Sequence, residues 1–335
     1  MSDSEAQRVL ERYGERFAHG QVVSLGGAGG FSGSRFWRVT TIGQEFALRR
    51  HPREVDPEQV EFGHQLIRQV AADGSLPVPI PQADLSGESI HRQSGFCYEL
   101  TIWLPGKPLP AAQWTEASIT TALSTLARVH LLFERAPRRE GGVGMAVPPA
   151  IIRRWEVLRK LLERDHLRLR LIIDGRHGPA IRDAALRIAP GLERWKSRLE
   201  HGLRTAERLT FPIQPCLRDV WSDNFLFTSS DAISGLLDFA GAGWDSVATD
   251  VARLLGSLLA DHPRAWPVGL QAYEAIRPLS AAERDLALLL DQANAVLSGW
   301  NWIRWLFEED RFPAESMPAV LSRLEHFARR VEQLS

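Results

Sequence analysis

Cysteine is almost missing from this chain: only Cys97 and Cys216 occur in 335 residues. Neither lies in a CxxC pair or near a histidine cluster in the sequence, which argues against a disulfide framework and a zinc site. Both read as buried thiols of a reducing cytoplasm, the expected location. Long hydrophobic runs are also missing. No apolar stretch approaches the roughly 20 residues that span a bilayer, so no membrane partner is expected. The opening MSDSEAQRVLERYGERF carries charge from the start and reads as an amphipathic helix, not a signal peptide. Net charge is nearly nil, -1 from 40 basic and 41 acidic residues. Without a cationic excess, nucleic acid has no bulk electrostatic hold on the chain, and none is expected as a partner. Internal repeats and low-complexity tracts are absent as well, which excludes a repeat architecture.

What remains is an ordinary globular composition, 44% hydrophobic and 24% charged. Its length allows two lobes, each with its own core. Residues 20 to 104 carry strand signals: FWRVT alternates into EFALRR across the turn TIGQ, and FCYELTIWL is a long branched and aromatic run. Between them PEQVEFGHQLIRQVAADG places Val60, Ile67, Val70 and Ala71 near helical spacing, with Gly74 as a stop. From residue 114 the pattern turns helical, interrupted by LRDVWSDNFLF (217–227) and AISGLLDFAGAGWD (232–245). The spacing predicts a small antiparallel-sheet lobe (1–104) and a large, mainly helical lobe (105–335) with one embedded strand pair.

Several stretches carry chemistry. Gly26, Gly27, Gly29, Gly30 and Gly33 crowd SLGGAGGFSGSRFWRV ahead of a strand. Glycine lets backbone N–H groups approach phosphates closely, although a flexible hairpin fits equally well. No Gly-Lys-Ser/Thr follows and no helix opens there, so neither a P-loop nor a dinucleotide fingerprint is present. Arg49, at the end of EFALRR, offers a guanidinium able to clamp phosphate oxygens, or is a solvated strand end. Glu61 on the following helix is its expected partner, with Glu58 a rival. Asp219, Asn224 five residues on, and Asp238 nineteen residues beyond Asp219 form the main constellation. A hairpin closed by TSSDAIS sets Asn224 and Asp238 at the same end, offering an amide and a carboxylate to a hard cation while Asp219 stays free as a base. A strand-end turn is the plainer reading of Asp238. His130 reads as a packing or capping residue and Asp250 as a helix cap. The eleven tryptophans read as core or groove lining.

From about residue 20 to 330, the order of these motifs resembles the aminoglycoside phosphotransferase-like family of the protein-kinase-like fold. LRDVWSDN and GLLDFAGAGWDSVATDVARLL follow that family's catalytic and metal-binding order and spacing. The resemblance implies an α+β, two-lobe fold and a phosphotransferase using ATP and Mg2+ on a small-molecule hydroxyl acceptor. It makes GGAGGFSG, with Gly27, Gly29, Gly30, Ser32 and Gly33, the flap over the nucleotide phosphates. Arg49 stands for the strand lysine, Glu61 for the helix glutamate, and backbone groups of Ile102 to Leu104 meet adenine. TIWLPG (101–106) corresponds to the hinge, and STLARVH (124–130) to the LAxLH helix ending. Asp219 orients or deprotonates the acceptor hydroxyl, Asn224 and Asp238 hold magnesium, and Asp250 braces the catalytic loop.

Three positions depart from the pattern. Leu217 stands where the family has histidine, Arg49 where it has lysine, and Ala240 where kinases have the glycine after Asp-Phe. They keep a second reading open, a kinase-like pseudoenzyme acting as a nucleotide-binding or regulatory module. The acidic EED (308–310) suits a cationic, aminoglycoside-like acceptor or is a solvated helix end. The acceptor, a small metabolite or an aminoglycoside-like compound, is not fixed by the fold.

Overall fold

A computed structural model describes residues 3–27, 31, 33–136, 144–163, 173, 177–229 and 232–334. The chain packs as two compact units, Met1–Pro110 with Leu131–Ala136 and Asp223–Gly243, and Ala111–His130 with Pro137–Ser222 and Trp244–Ser335. The sequence reading set one boundary after residue 104. The structure runs the first unit to Pro110 and gives it the 223–243 hairpin. Pairing explains this: Leu226 and Phe227 lie opposite Pro108 and Lys107, and the Leu236 N–H donates to the Pro77 carbonyl.

In the first unit, helix α1 (Asp3–Leu10) and the short α2 (Glu15–Ala18) precede β1 (Gln21–Gly26), β2 (Arg35–Thr41) and β3 (Gln44–Arg50). After helix α3 (Pro57–Asp73) come β4 (His91–Gln93) and β5 (Phe96–Ile102), giving an antiparallel sheet of order β1-β2-β3-β5-β4. Period-2 alternation buries Trp37, Val39, Phe46, Leu48, Tyr98 and Leu100 beneath Ala6, Val9 and Leu10 of α1. Each such side chain contributes about 1.5–3 kcal/mol of hydrophobic stabilisation. Glu5 on α1 accepts from Arg50 at 2.9 Å and from the Tyr98 hydroxyl at 2.6 Å, tying helix to sheet. Helix α3 starts on an Asp56 cap with Pro57 at its first position and stops at Gly74, φ 73°. Its buried stripe is Val60, Gly63, His64, Ile67 and Val70.

Two further strands of the first unit, Phe225–Ser229 and Ala232–Leu236, form the expected embedded hairpin, with Phe225 opposite Leu236 and Leu226 opposite Gly235. The second unit is dominated by helices. The 27-residue helix Ala281–Phe307 begins at a reciprocal Ser280/Glu283 capping box. It packs against Ala248–Leu259, Met317–Gln333 and Pro190–Ala206. Trp300, Ile303, Leu306 and Phe307 of this helix are buried. Among the described residues, no helix is long and apolar enough to cross a membrane.

Candidate active site

Arg49, the penultimate residue of β3, lies directly opposite Glu99 on β5. Its guanidinium lies 3.7 Å from the Glu99 carboxylate and 3.3 Å from that of Asp238. Nε donates to the Ser34 hydroxyl at 3.2 Å, and the Phe36 ring lies beneath it at 5.2 Å. Glu99 is buried among Arg49 and two histidines. His64 hydrogen-bonds it at 2.5 Å and turns its other nitrogen to Ser89 at 2.8 Å. His51 stands 3.1 Å away, within ion-pair range although not aligned for a hydrogen bond. Burial pushes the Glu99 carboxyl up, but His51 and His64 outweigh it and hold the group well below the usual range.

The expected helix glutamate is therefore corrected. Glu58 and Glu61 are both exposed, and the carboxylate partners of Arg49 are Glu99 and Asp238. The register of helix α3 is the reason, because its buried stripe presents His64 to the sheet and turns residues 58 and 61 to solvent.

Asp238 follows strand Ala232–Leu236 with φ 63°, and its carboxylate is exposed. A non-glycine residue in the left-handed region costs about 1–3 kcal/mol and persists only where its surroundings dictate it. Here helix α3 dictates it. Gly63 approaches so closely that a Cβ there would lie 2.6 Å from the Phe239 carbonyl oxygen. Gln59, one turn earlier, donates to the Ala242 carbonyl. Phe239 is buried with its ring edge-on to Phe133. At the same end of the hairpin, before its first strand, Asn224 is half-buried, and its carbonyl accepts the Leu237 N–H at 2.9 Å.

The second unit holds Asp219, exposed and ion-paired with Arg253. The loop before it is fixed from behind. The two carboxylate oxygens of fully buried Asp250 accept the N–H groups of Leu217 at 2.6 Å and Arg218 at 2.7 Å. His130 bonds Asp250 at 3.0 Å and the Tyr273 hydroxyl at 2.7 Å, while Gln214 donates to the His130 carbonyl at 2.8 Å. Arg218, with φ 64°, is the second strained residue of the site. His130, Cys216 and Asp250 lie close enough to hold a metal ion. Their bonding argues for a structural brace, since the Cys216 thiol already donates to the Asp245 carbonyl and burial drives its pKa well up. Cys97 is raised by burial too.

The remaining expected residues divide. Gly27 and Gly33 are exposed, Gly33 with φ 77°; Gly29, Gly30 and Ser32 lie outside the described residues. Of the segment expected to meet adenine, the N–H groups of Ile102 and Trp103 are donated to Ile80 and Glu45. The N–H of buried Leu104 has no hydrogen bond among the described residues. Gly106, φ 94°, packs so tightly that a Cβ would meet Phe227 O at 2.7 Å, which fixes the turn after this segment. Glu308, Glu309 and Asp310 are exposed and form a solvated helix end. Sequence reasoning missed Glu99, His51, His64 and Arg253. The signal for Glu99 was available as a lone carboxylate inside the apolar run FCYELTIWL, where it needs a cation.

Comparison with known proteins gives a consistent picture. The profile described as "Phosphotransferase enzyme family" matches residues 26–306. The homoserine kinase of Acidiphilium cryptum is 27% identical over 300 residues, covering 86% of this chain and 83% of its own. The homoserine kinase of Gluconobacter oxydans is 26% identical over 339 residues, 96% of each chain. Among solved structures, an aminoglycoside phosphotransferase from Alicyclobacillus acidocaldarius matches with a TM-score of 0.62 at 18% identity, over 98% of this chain and 95% of its own. That likeness establishes the kinase-like α+β fold.

Proposed function

The chain belongs to the phosphotransferase enzyme family, and from that premise we propose that it transfers the γ-phosphoryl group of ATP, with Mg2+, to the hydroxyl of a small amino-acid-like metabolite. Homoserine is the first candidate, because the curated relatives are homoserine kinases. That the enzyme is a phosphotransferase with a hydroxyl acceptor follows from the family and those relatives. The nucleotide, the metal and the acceptor are the proposal.

The observation that carries it is Arg49, held between Glu99 and Asp238 at 3.7 and 3.3 Å. A planar guanidinium so placed serves the nucleotide's phosphate oxygens bidentately, beside a carboxylate suited to a hard cation. Asp238 and Asn224 present oxygen donors only, which fits magnesium, and they are the residues that would hold it. When bound, such an ion neutralises charge on the phosphate oxygens. Glu99 fixes the guanidinium, and the His51/His64 pair keeps Glu99 ionised for that task. Asp219 accepts the proton of the acceptor hydroxyl as its oxygen bonds to phosphorus and the bond to ADP breaks. Asp250 holds the backbone that presents Asp219.

The test is ADP release from Mg-ATP with homoserine as acceptor, for wild type and Asp219→Asn. Loss of a general base costs roughly 10²–10⁴-fold in kcat, while nucleotide binding by calorimetry stays near wild type. Equal turnover of the two proteins, or none by wild type with any hydroxylated acceptor, would defeat the reading.

A further inference from the structure

Beside Asp219 the second unit carries a cleft of about 260 Å³, its open mouth included, lined among others by Trp221, Arg253, Asp291, Asn294, His326 and Arg330. Its charges are unevenly spent. Arg330 is consumed by Asp291 at 2.7 Å and by Gln333 at 3.0 Å, a buried pair that closes on itself. Arg253 stacks over Trp221 at 5.2 Å and reaches Asp219, yet its Nε is buried with no partner. Arg154 donates to Asn294 Oδ1 at 2.8 Å. Since arginine only donates, that bond fixes the amide orientation. It leaves Asn294 Nδ2, also buried, as a second donor without a partner. Buried donors left unpaired are costly, and they mark a place where an acceptor group belongs. The surrounding field agrees. His326 is pushed down to about 3, first by burial and then by Arg323, Arg330, Arg329 and Arg253.

Resting on the phosphotransferase reading, we infer that this cleft is the acceptor subsite and selects a hydroxy acid, with Arg253 gripping the substrate carboxylate and Asn294 donating to it. The guanidinium of Arg253 holds one carboxylate in the structure, that of Asp219. A substrate carboxylate takes its place and releases Asp219 to receive the hydroxyl proton. A polycationic acceptor would instead meet Arg253 with like charge.

Three probes separate the groups: homoserine, 4-hydroxybutanoate, which lacks the amine, and 3-aminopropan-1-ol, which lacks the carboxylate. Binding by calorimetry and phosphorylation with Mg-ATP are measured for wild type, Arg253→Met and Asn294→Leu. Both carboxylates should bind wild type, with 3-aminopropan-1-ol at least about 10-fold weaker, as befits losing one charge-assisted hydrogen bond. Arg253→Met should abolish the preference, and Asn294→Leu should reduce it by raising KM more than it lowers kcat. Preference for 3-aminopropan-1-ol, failure of both carboxylates to bind wild type, or an unchanged preference in both variants would overturn the inference. Carboxylate binding that needs Arg253, without turnover of any acceptor, would support the subsite and defeat the phosphotransferase reading instead.

Discussion

Gly63→Ala tests whether helix α3 sets the position of Asp238. Within a helix this exchange ordinarily gains about 1 kcal/mol, because glycine is the poorer helix former. At Gly63 the new Cβ would stand 2.6 Å from the Phe239 carbonyl oxygen and 3.2 Å from its carbon, both backbone atoms. Ordinary contact begins near 3.4 Å, so the segment must retreat by about 0.8 Å (3.4 − 2.6). Overpacking of this kind costs about 1–3 kcal/mol. Set against the propensity gain, the net destabilisation is about 0–2 kcal/mol, a melting shift of a few degrees. The effect on function should be far larger. Asp238 precedes Phe239, and a displacement of about 1 Å in a positioning group costs on the order of 10²-fold in rate. Gly202→Ala, in helix Pro190–Ala206, is the control. There the nearest atom, Leu289 Cδ1 at 2.7 Å, is the end of a side chain free to rotate away. ADP release across a Mg-ATP titration, paired with thermal melting, separates the two. A Gly63→Ala protein that melts higher than wild type and keeps its kcat/KM would refute the proposed packing of α3 on the Asp238 segment.

Three other perturbations have worked signs. Asp250→Ala leaves the Leu217 and Arg218 N–H groups and His130 facing a void; breaking a buried network of this kind costs about 3–5 kcal/mol, and a loss under 1 kcal/mol in urea titration would contradict the brace. His326, pushed down to about 3 from its usual 6.5, binds its proton more readily unfolded than folded. Its stabilisation is complete above pH 6.5 and fades as pH falls, by about 1.4 kcal/mol per unit or roughly 2 kcal/mol between pH 6.5 and 5; His326→Gln should flatten that slope in denaturant titrations at the two pH values. Arg49→Lys restores the family's residue but replaces a fork with a point charge, so the KM for Mg-ATP should rise about 10-fold with kcat little changed, and a KM at or below wild type would count against the bridging role of the guanidinium.

The sequence made the sheet and helix α3 legible because period-2 and period-3.6 patterns are local. The same α3 pattern also contained the correction to Glu61. Counting from buried Val60, positions 63, 64 and 67 share its face, and the residue next to Val60 points about 100° away, toward solvent. The candidate constellation was proposed from spacing, since Asn224 and Asp238 flank one hairpin and Asp219 lies on the loop before it. The groups that contact those residues were not. Glu99 meets Arg49 through the β3–β5 register, fifty residues apart, and Arg253 meets Asp219 across thirty-four. His130 and Asp250, one hundred and twenty residues apart, gave no sequence sign of touching. Such pairings are fixed by register and helix packing, which a single sequence does not display.

The departures from the family pattern are compensated in space. Leucine at 217 cannot hydrogen-bond through its side chain, but its backbone N–H and that of Arg218 are both taken by Asp250. His130 hydrogen-bonds Asp250 and is itself anchored by Tyr273. Arginine at 49 is bulkier than lysine and would strand several donors in a half-buried position. Ser34, Glu99 and Asp238 each take one of its contacts. Glu99 in turn is held well below the usual carboxylate range by two histidines, of which His64 comes from the buried face of α3. Arg49, Glu99, His51 and His64 therefore form one connected set in the first unit, with the carboxylate on the sheet and one histidine on the helix. Because each member of the set satisfies the next, the Arg49 guanidinium is held beside Asp238, which favours a working phosphotransferase over a pseudoenzyme.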